Sequence, residues 1–352
     1  MQKITDILKK IKPIDKKIME EAQKRLDSLT KPLGSLGRLE ETAKLIVGIT
    51  GNLKPVLNKK VVFTFAGDHG VTDEGVSAYP KAVTAQMVYN FLRDGAAINV
   101  LARHANARVV VADLGVAEDL KTCDQLVIKK IGYGTKNMAH GPAMTKDEAI
   151  KSIEAGIDIF EKEFSKGIDI ACTGEMGIGN TTAASAITAV FTKKHLANIT
   201  GRGTGLDHKG LEKKIAVIKQ ALDTNKPDQS NPIDVLAKVG GFEIGGLAGV
   251  ILAAAAKKIP VVVDGFISGA AALVAFGIEP KVKDYLIASH NSVESGHKVI
   301  WDYLGLKPLL DLNLRLGEGT GAVLSLSIIE ASIKILNEMA TFAQANVSES
   351  NT

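Results

Sequence analysis

Cysteine is nearly missing from this chain: Cys123 and Cys172 are the only two in 352 residues. Neither forms a CxxC pair or stands in a histidine cluster, which argues against structural zinc. Both read as small buried thiols in a reducing cytosol. Aromatic residues are few, at 5%, and the 43 lysines and arginines form no long run. Basic patches interleaved with aromatics are therefore wanting, and no nucleic-acid partner is expected. Long apolar runs are wanting too. The longest, "GGLAGVILAAAA", is too short to span a bilayer and ends at Lys257 and Lys258. The N-terminal stretch is lysine-rich and amphipathic, without the continuous apolar segment of a signal peptide. A cytoplasmic protein with no membrane partner is expected. No GxSxG elbow and no candidate nucleophilic cysteine speak for covalent hydrolysis.

Glycine, by contrast, is abundant at 34 residues, many of them in short clusters. The chain is otherwise an ordinary globular one, 45% hydrophobic and 23% charged, with a net charge of +4. Residues 1 to about 55 read as helices with polar faces. From residue 61 short β-branched runs appear: "VVFTFAG", "RVVVADLG", "IDIACTG", "PVVVDG", "YLIASH" and "PLLDLNL". Most are followed by a long apolar-periodic stretch. This alternation, with nearly continuous apolar strands, predicts an α/β fold: a parallel sheet covered by helices on both faces. The last helical run, "GAVLSLSIIEASIKILNEMATFAQ", is long enough to return to the N-terminal helices, and the tail "NVSESNT" is expected to fray.

In open parallel sheets ligands bind beyond the carboxyl ends of the strands. The unusual residues fall there: Asp68 and His69, Glu175, Asp264, Ser289 to Asn291, and Glu318. "GEMGIGNTT" (174–182) follows a strand and opens a helix, so its backbone N–H groups offer an anion site. It is neither GxGxxG nor a phosphate loop with Gly-Lys-Ser/Thr, which favours a phosphate or carboxylate over NAD or ATP. The structural alternative is a turn with Asn180 or Thr181 as N-cap. "TGRGTGLD" offers Arg202 to a phosphate and Asp207 as a helix cap, or is a plain surface loop. In "SHNSVESGH", His290 and His297 lack metal-ligand spacing, and Ser289, Asn291 and Ser292 read as hydrogen-bond donors at a helix start. In "GDHG", Asp68 reads as a residue tying down a loop. In "NLRLGEGTGA", the alternation of Leu312, Leu314 and Leu316 suggests a buried strand that runs into Glu318. That carboxylate could be a base, a ligand or a helix N-terminal anchor. Glu175 and Glu318, both flanked by glycine, are the pair suited to general acid–base work.

"TKPLGSLGRLE", "FAGDHGVTDEGVSAYPKAVTAQMV", "GEMGIGNTTAASA", "TGRGTGLD", "PVVVDGFISGAAALVA", "SHNSVESGH" and "LRLGEGTGA" stand in this order between about residues 30 and 325. Together they resemble the nicotinate-nucleotide–dimethylbenzimidazole phosphoribosyltransferases, the CobT family. The resemblance implies a large Rossmann-like domain, 59–329, and a small helical domain from both chain ends, 1–58 plus 330–352. It implies a homodimer, with a heterodimer of homologues as the alternative. The implied reaction moves 5-phosphoribose from nicotinate mononucleotide to an aromatic base, with no cofactor or metal. Glu318 matches the family's catalytic glutamate, a general base, and Glu175 the second active-site glutamate. For the phosphate and ribose the candidate residues are Gly177, Gly179, Asn180, Thr181, Arg202, Gly203, Thr204, Lys214, Ser289 and Asn291. For the base they are Tyr79, Gln86, Met87 and Leu316.

One region departs from the family's benzimidazole enzymes, whose base pocket carries a small hydroxyl residue and an amide. Here Tyr79 and Met87 stand at those places, with Gln86 adjacent. A phenolic acceptor is thus an alternative to a benzimidazole. Two other readings stay open: a non-catalytic partner subunit, and a nicotinamide-dependent oxidoreductase. The latter needs a glycine fingerprint after the first strand, which instead ends "AGDHGV".

Overall fold

The run "KVVFTFAG" forms a strand, β1 (Lys60–Gly67), whose every residue is buried. The computed structural model describes residues 1–348; the last four residues of the tail expected to fray lie outside the described residues. β1 is central to a parallel sheet with β2 (Ala107–Gly115), β3 (Leu126–Ile128), β4 (Ile170–Met176), β5 (Val261–Val263) and β6 (Leu286–Ala288), in the order β3-β2-β1-β4-β5-β6. Alternate residues of β1 feed two apolar layers, as a period of two demands. Val61, Phe63 and Phe65 face one, and Val62 and Ala66 the other.

Before β1 come α1 (Gln2–Leu8), α2 (Lys16–Asp27) and α3 (Arg38–Thr50). α4 (Val83–Leu92) and α5 (Ala97–His104) link β1 to β2, and α6 (Lys146–Phe164) precedes β4. Between β4 and β5 run α7 (Asn180–Thr192), α8 (Leu196–Ile199), α9 (His208–Asn225), α10 (Pro232–Val239) and α11 (Phe242–Ala256). α12 (Phe266–Ile278) leads toward β6. A separate two-stranded parallel pair, β7 (His290–Ser292) and β8 (Leu310–Leu314), brackets α13 (Ser295–Leu304); α14 (Thr320–Glu338) and α15 (Phe342–Ala345) close the chain.

Ordinary caps start several helices: Asp15 accepts from the first turn of α2, Thr145 from α6, and Asn231 with Pro232 opens α10. α6 and α11 meet at backbone distance, where Gly156 lies against the Gly246 carbonyl with no room for a Cβ. The chain ends join as the long last helical run suggests. Arg25 donates to the Met339 carbonyl at 2.7 Å, and Phe342 N–H to that of Ser28 at 3.0 Å. α2 and α3 pack on α14. α1 instead packs on α6 and α11 of the large layer, with Ile4 and Ile7 in its core. The boundary drawn at 330 falls inside α14, one unbroken helix. α14 is also the one helix among the described residues long and apolar enough to cross a membrane, and 56% of that window is buried inside the protein.

Two local expectations need correction, and two short strands were not anticipated. The end of "PLLDLNL" forms β8, but outside the main sheet, and it is not buried: Leu312 is 52% exposed, and Leu316 just beyond the strand 58%. Among the described residues β8 pairs only with β7; α14 packs against the pair, leaving Leu310 and Leu314 half-buried and Leu312 uncovered. β3 and β7 are strands of three residues each, too short to show a period. Cys172 is a buried thiol, and burial pushes its pKa up, but Cys123 is exposed.

Candidate active site

The strand order turns at β1 and β4, from which the chain winds in opposite directions, and ligands bind at such a crevice. A cavity of about 220 Å³ opens there. Beside it, "GDHG" is structural. Asp68 accepts from Ala117 N–H at 2.8 Å, and His69 Nε2 meets Glu243 Oε1 at 2.6 Å. Burial alone would lower the His69 pKa; the Glu243 carboxylate outweighs it and the net shift is upward.

Eight of the residues chosen from sequence line the cavity: Glu175, Gly177, Asn180, Thr181, Gly203, Thr204, Tyr79 and Leu316. α7 starts at this wall. Its N-cap is Gly179 at φ +92°, with no side-chain cap, so neither Asn180 nor Thr181 plays that part. Asn180 donates its amide to Glu175 instead. Glu175 is buried against Gly317, where no Cβ would fit. Burial first, then the carboxylates of Asp264 and Glu243, push its pKa up to about 8. At neutral pH its proton stays on.

Glu318 sits one residue behind the cavity-lining Gly317 and does not itself line the cavity. It has φ +63°, between Gly317 at +87° and Gly319 at +103°. A non-glycine residue held there carries strain. Its backbone is pinned on both sides: the N–H donates to the Glu175 carbonyl at 3.3 Å, and its carbonyl accepts from Thr64 Oγ1 at 3.0 Å. Its carboxylate Oε2 accepts from Ile98 N–H, in the first turn of α5, at 3.1 Å. Burial raises its pKa, and that N–H works against the rise. Of the three roles open from sequence, the helix anchor is a visible contact. Asp264 anchors in the same manner, accepting from Gly319 N–H at 3.2 Å and Ala322 N–H at 3.0 Å at the start of α14. Burial lifts its pKa to about 7 against those N–H groups.

The remaining candidates stand behind the wall or away from it. Lys214 is fully buried and donates to Thr181 Oγ1 at 2.7 Å; burial lowers its pKa to about 8 while Glu294 pulls it up. Gly179 packs on Thr72. Arg202 braces its own loop by donating to the Leu206 carbonyl at 2.7 Å, and Asp207 caps α9 as expected. Ser289 donates to the Asp264 carbonyl at 3.1 Å, and Asn291 is paired in β7 beside Asp311. Gln86 is exposed and Met87 half-buried on α4. Neither lines the cavity, whereas Tyr79, 56% exposed, does. The Tyr79 loop is tied to the 200–207 loop: Thr204 Oγ1 accepts from Ala78 N–H at 2.9 Å and pairs with the Ser77 hydroxyl at 3.1 Å.

His290 lines the cavity, with its pKa pushed down to about 4 by burial. His297, buried behind it, is lowered well below the ordinary value by burial and by His290. Two neutral rings thus pack edge to face at 5.6 Å. No group of three or more histidine, cysteine or acidic residues among the described residues is arranged to hold a metal. Sequence reasoning passed over Phe266, Glu294 and Arg315 in the lining. Phe266 follows the strand-end Asp264 by two residues, which was a usable signal. Arg315 is the one permanently cationic residue lining the cavity among the described residues. Nothing in its local sequence marks it.

Comparison with known proteins agrees with this architecture. A family model described as "Phosphoribosyltransferase" matches residues 11–347. A Geobacter sulfurreducens protein named nicotinate-nucleotide–dimethylbenzimidazole phosphoribosyltransferase is 56% identical over 99% of both chains. One of the same name from Desulforudis audaxviator is 57% identical over 97% of both. Two crystal structures from Thermus thermophilus, one named as that enzyme and one as CobT, superpose with TM-scores of 0.91 and 0.92 at 43% and 44% identity. They cover 96% and 95% of this chain and are themselves covered completely. With the family model spanning nearly the whole chain and relatives above half identity end to end, this chain belongs to the nicotinate-nucleotide–dimethylbenzimidazole phosphoribosyltransferase family.

Proposed function

We propose that the chain transfers 5-phosphoribose from nicotinate mononucleotide to 5,6-dimethylbenzimidazole or a close relative. The products are nicotinate and the α-ribazole 5′-phosphate used in cobamide assembly. The observation that carries the reading is one cavity joining an uncapped helix N-terminus to buried Glu175, with buried Glu318 one residue behind its wall.

The 5′-phosphate lies at the start of α7, on the N–H groups around Gly177 to Thr181. Lys214 supplies positive charge through Thr181. The start of α14 is not available, because the Asp264 carboxyl already fills it. The acceptor ring lies by Leu316, Gly317 and Tyr79. One ring nitrogen attacks C1′ from the face opposite nicotinate, which inverts β to α. The C1′–N bond to nicotinate breaks, and its electron pair neutralises the pyridinium nitrogen. The N–H proton of the acceptor passes to Glu318, the general base. Glu175, protonated at neutral pH, orients the ring and shields the developing charge. Nicotinate leaves with its pyridine ring neutral, so the departure needs no acid.

Exposed Leu312 of β8 lies four residues before Leu316 of the cavity wall, and a second copy of the chain is the partner proposed to cover them. The terminal helices α2 and α3 with the end of α14 form the proposed small domain. The cytoplasm is the proposed compartment. The function is tested by incubating the chain with nicotinate mononucleotide and dimethylbenzimidazole, then separating the products. Free nicotinate and an equal amount of α-nucleotide are expected; neither product appearing overturns the reading.

A further inference from the structure

The first turn of α5 has an unfilled place. Its N-cap is Ala96, which has no polar side chain, where Ser, Thr, Asp or Asn is the usual choice. Asn99 returns its side chain to Ala96 N–H at 3.1 Å, one half of a capping box. The other half, an acceptor for the first-turn N–H groups, comes from far along the chain: Glu318 Oε2, on Ile98 N–H. Glu318 is reached through three consecutive positive-φ residues, with both its backbone groups bonded. The one freedom left is the side chain, and Ile98 removes it. The other carboxylate oxygen, Oε1, accepts no hydrogen bond from the described residues.

We propose that the N-terminus of α5 is a positioning element for Glu318, holding one carboxylate oxygen on Ile98 N–H so that the other is aimed and free to take the acceptor's proton. An alanine N-cap is what makes this possible, since a local capping side chain would compete for the same N–H. The inference rests on the reading of Glu318 as the base. The groups facing Glu318 are acidic: Glu175 at the end of β4 and Asp264 behind Gly319. Burial disfavours the ionised form of Glu318, and the α5 N-terminus is the opposing influence.

The test has two arms. In the first, Ala96→Ser supplies the missing local acceptor. Helix capping alone predicts a protein at least as stable and equally active. The proposal predicts instead that the acid limb of the kcat/KM profile moves up by about half a pH unit or more. It predicts that kcat falls several-fold near pH 6 while KM for nicotinate mononucleotide holds within twofold. In a Glu318→Gln background, Ala96→Ser should leave the residual rate and its pH profile unchanged. An unmoved acid limb in the folded single variant overturns the proposal. The second arm needs no substrate: in ligand-free chain labelled with ¹⁵N-isoleucine, the Ile98 amide should titrate with Glu318 and stop doing so in Glu318→Gln. An Ile98 amide indifferent to pH overturns the contact, and decides alone should Ala96→Ser not fold. A wild-type chain that releases no nicotinate instead overturns the functional reading, whatever the amide does.

Discussion

The loop from Glu175 to Asn180 and the loop from Gly317 to Thr320 each carry a strand into a helix through a positive-φ glycine, Gly179 and Gly319. Each brings a glutamate within reach of the other. What fills them differs. The start of α7 opens on the cavity and meets no carboxylate of its own. The start of α14 is closed by buried Asp264. Two helix N-termini that look alike in sequence therefore serve opposite ends. One is left open toward the cavity, and the other is taken up by the Asp264 carboxyl. The glutamates divide similarly. Glu175 stays in regular strand geometry and keeps its proton, while Glu318 is strained and bonded to a distant N–H.

The largest way to break this comparison is to equalise the glutamates. Glu318→Gln should leave the fold intact and cut kcat by about 10²–10⁴, the usual contribution of a general base. Wild-type turnover with dimethylbenzimidazole would move the base to Glu175. Next in size is Glu175→Gln. Its folded pKa is raised, so its contribution to stability is fully present below the ordinary glutamate pKa. That contribution is lost as pH rises toward about 8. The variant should therefore melt above wild type at pH 8.5 and level with it at pH 4.5. The gap is at most roughly 5 kcal/mol, at ~1.4 per pKa unit. Equal melting differences at both pH values would show that Glu175 titrates normally.

How much of this was open to a reader of the sequence varies by element. Both loops were visible, because glycine clusters after apolar runs mark backbone turns that approach a ligand. The sheet was visible because both its faces are covered and its strands are continuously apolar. The division of labour between the loops was not. It depends on Asp264 meeting Ala322 and Glu318 meeting Ile98, contacts that local periodicity does not encode. β8 misled for a related reason: alternation of Leu312 and Leu316 signals a buried face only when a second layer covers that face, and among the described residues none covers theirs. Met87 was chosen from an aligned position, yet one turn of α4 carries it onto the helix layer.

Two smaller effects sharpen the contrast. Lys214→Met removes the cation behind the open start of α7. KM for nicotinate mononucleotide should rise roughly tenfold, in line with about 1.5 kcal/mol for a charge-assisted contact, with kcat less affected. An unchanged KM would put the phosphate at another loop. Smallest is the acceptor side. Tyr79→Ser should change the ratio of rates between dimethylbenzimidazole and phenol by several-fold, and Met87→Gln by less, since only Tyr79 lines the cavity. Paired-acceptor competition measures both, and a larger response from Met87 would show that α4 moves into the site when the ring is bound.

The joining of the chain ends has a consequence during synthesis. The apolar faces of α2 and α3 leave the ribosome early, and their cover, α14, emerges almost last. At about 5–20 residues per second, that wait is on the order of 15–60 s. Glu318 emerges just ahead of α14, so the proposed base and the cover of the N-terminal layer become available together. Nascent chains of this protein are thus exposed to chaperones and proteases for nearly the whole of translation, and protection and catalysis should arrive together as its last forty or so residues dock.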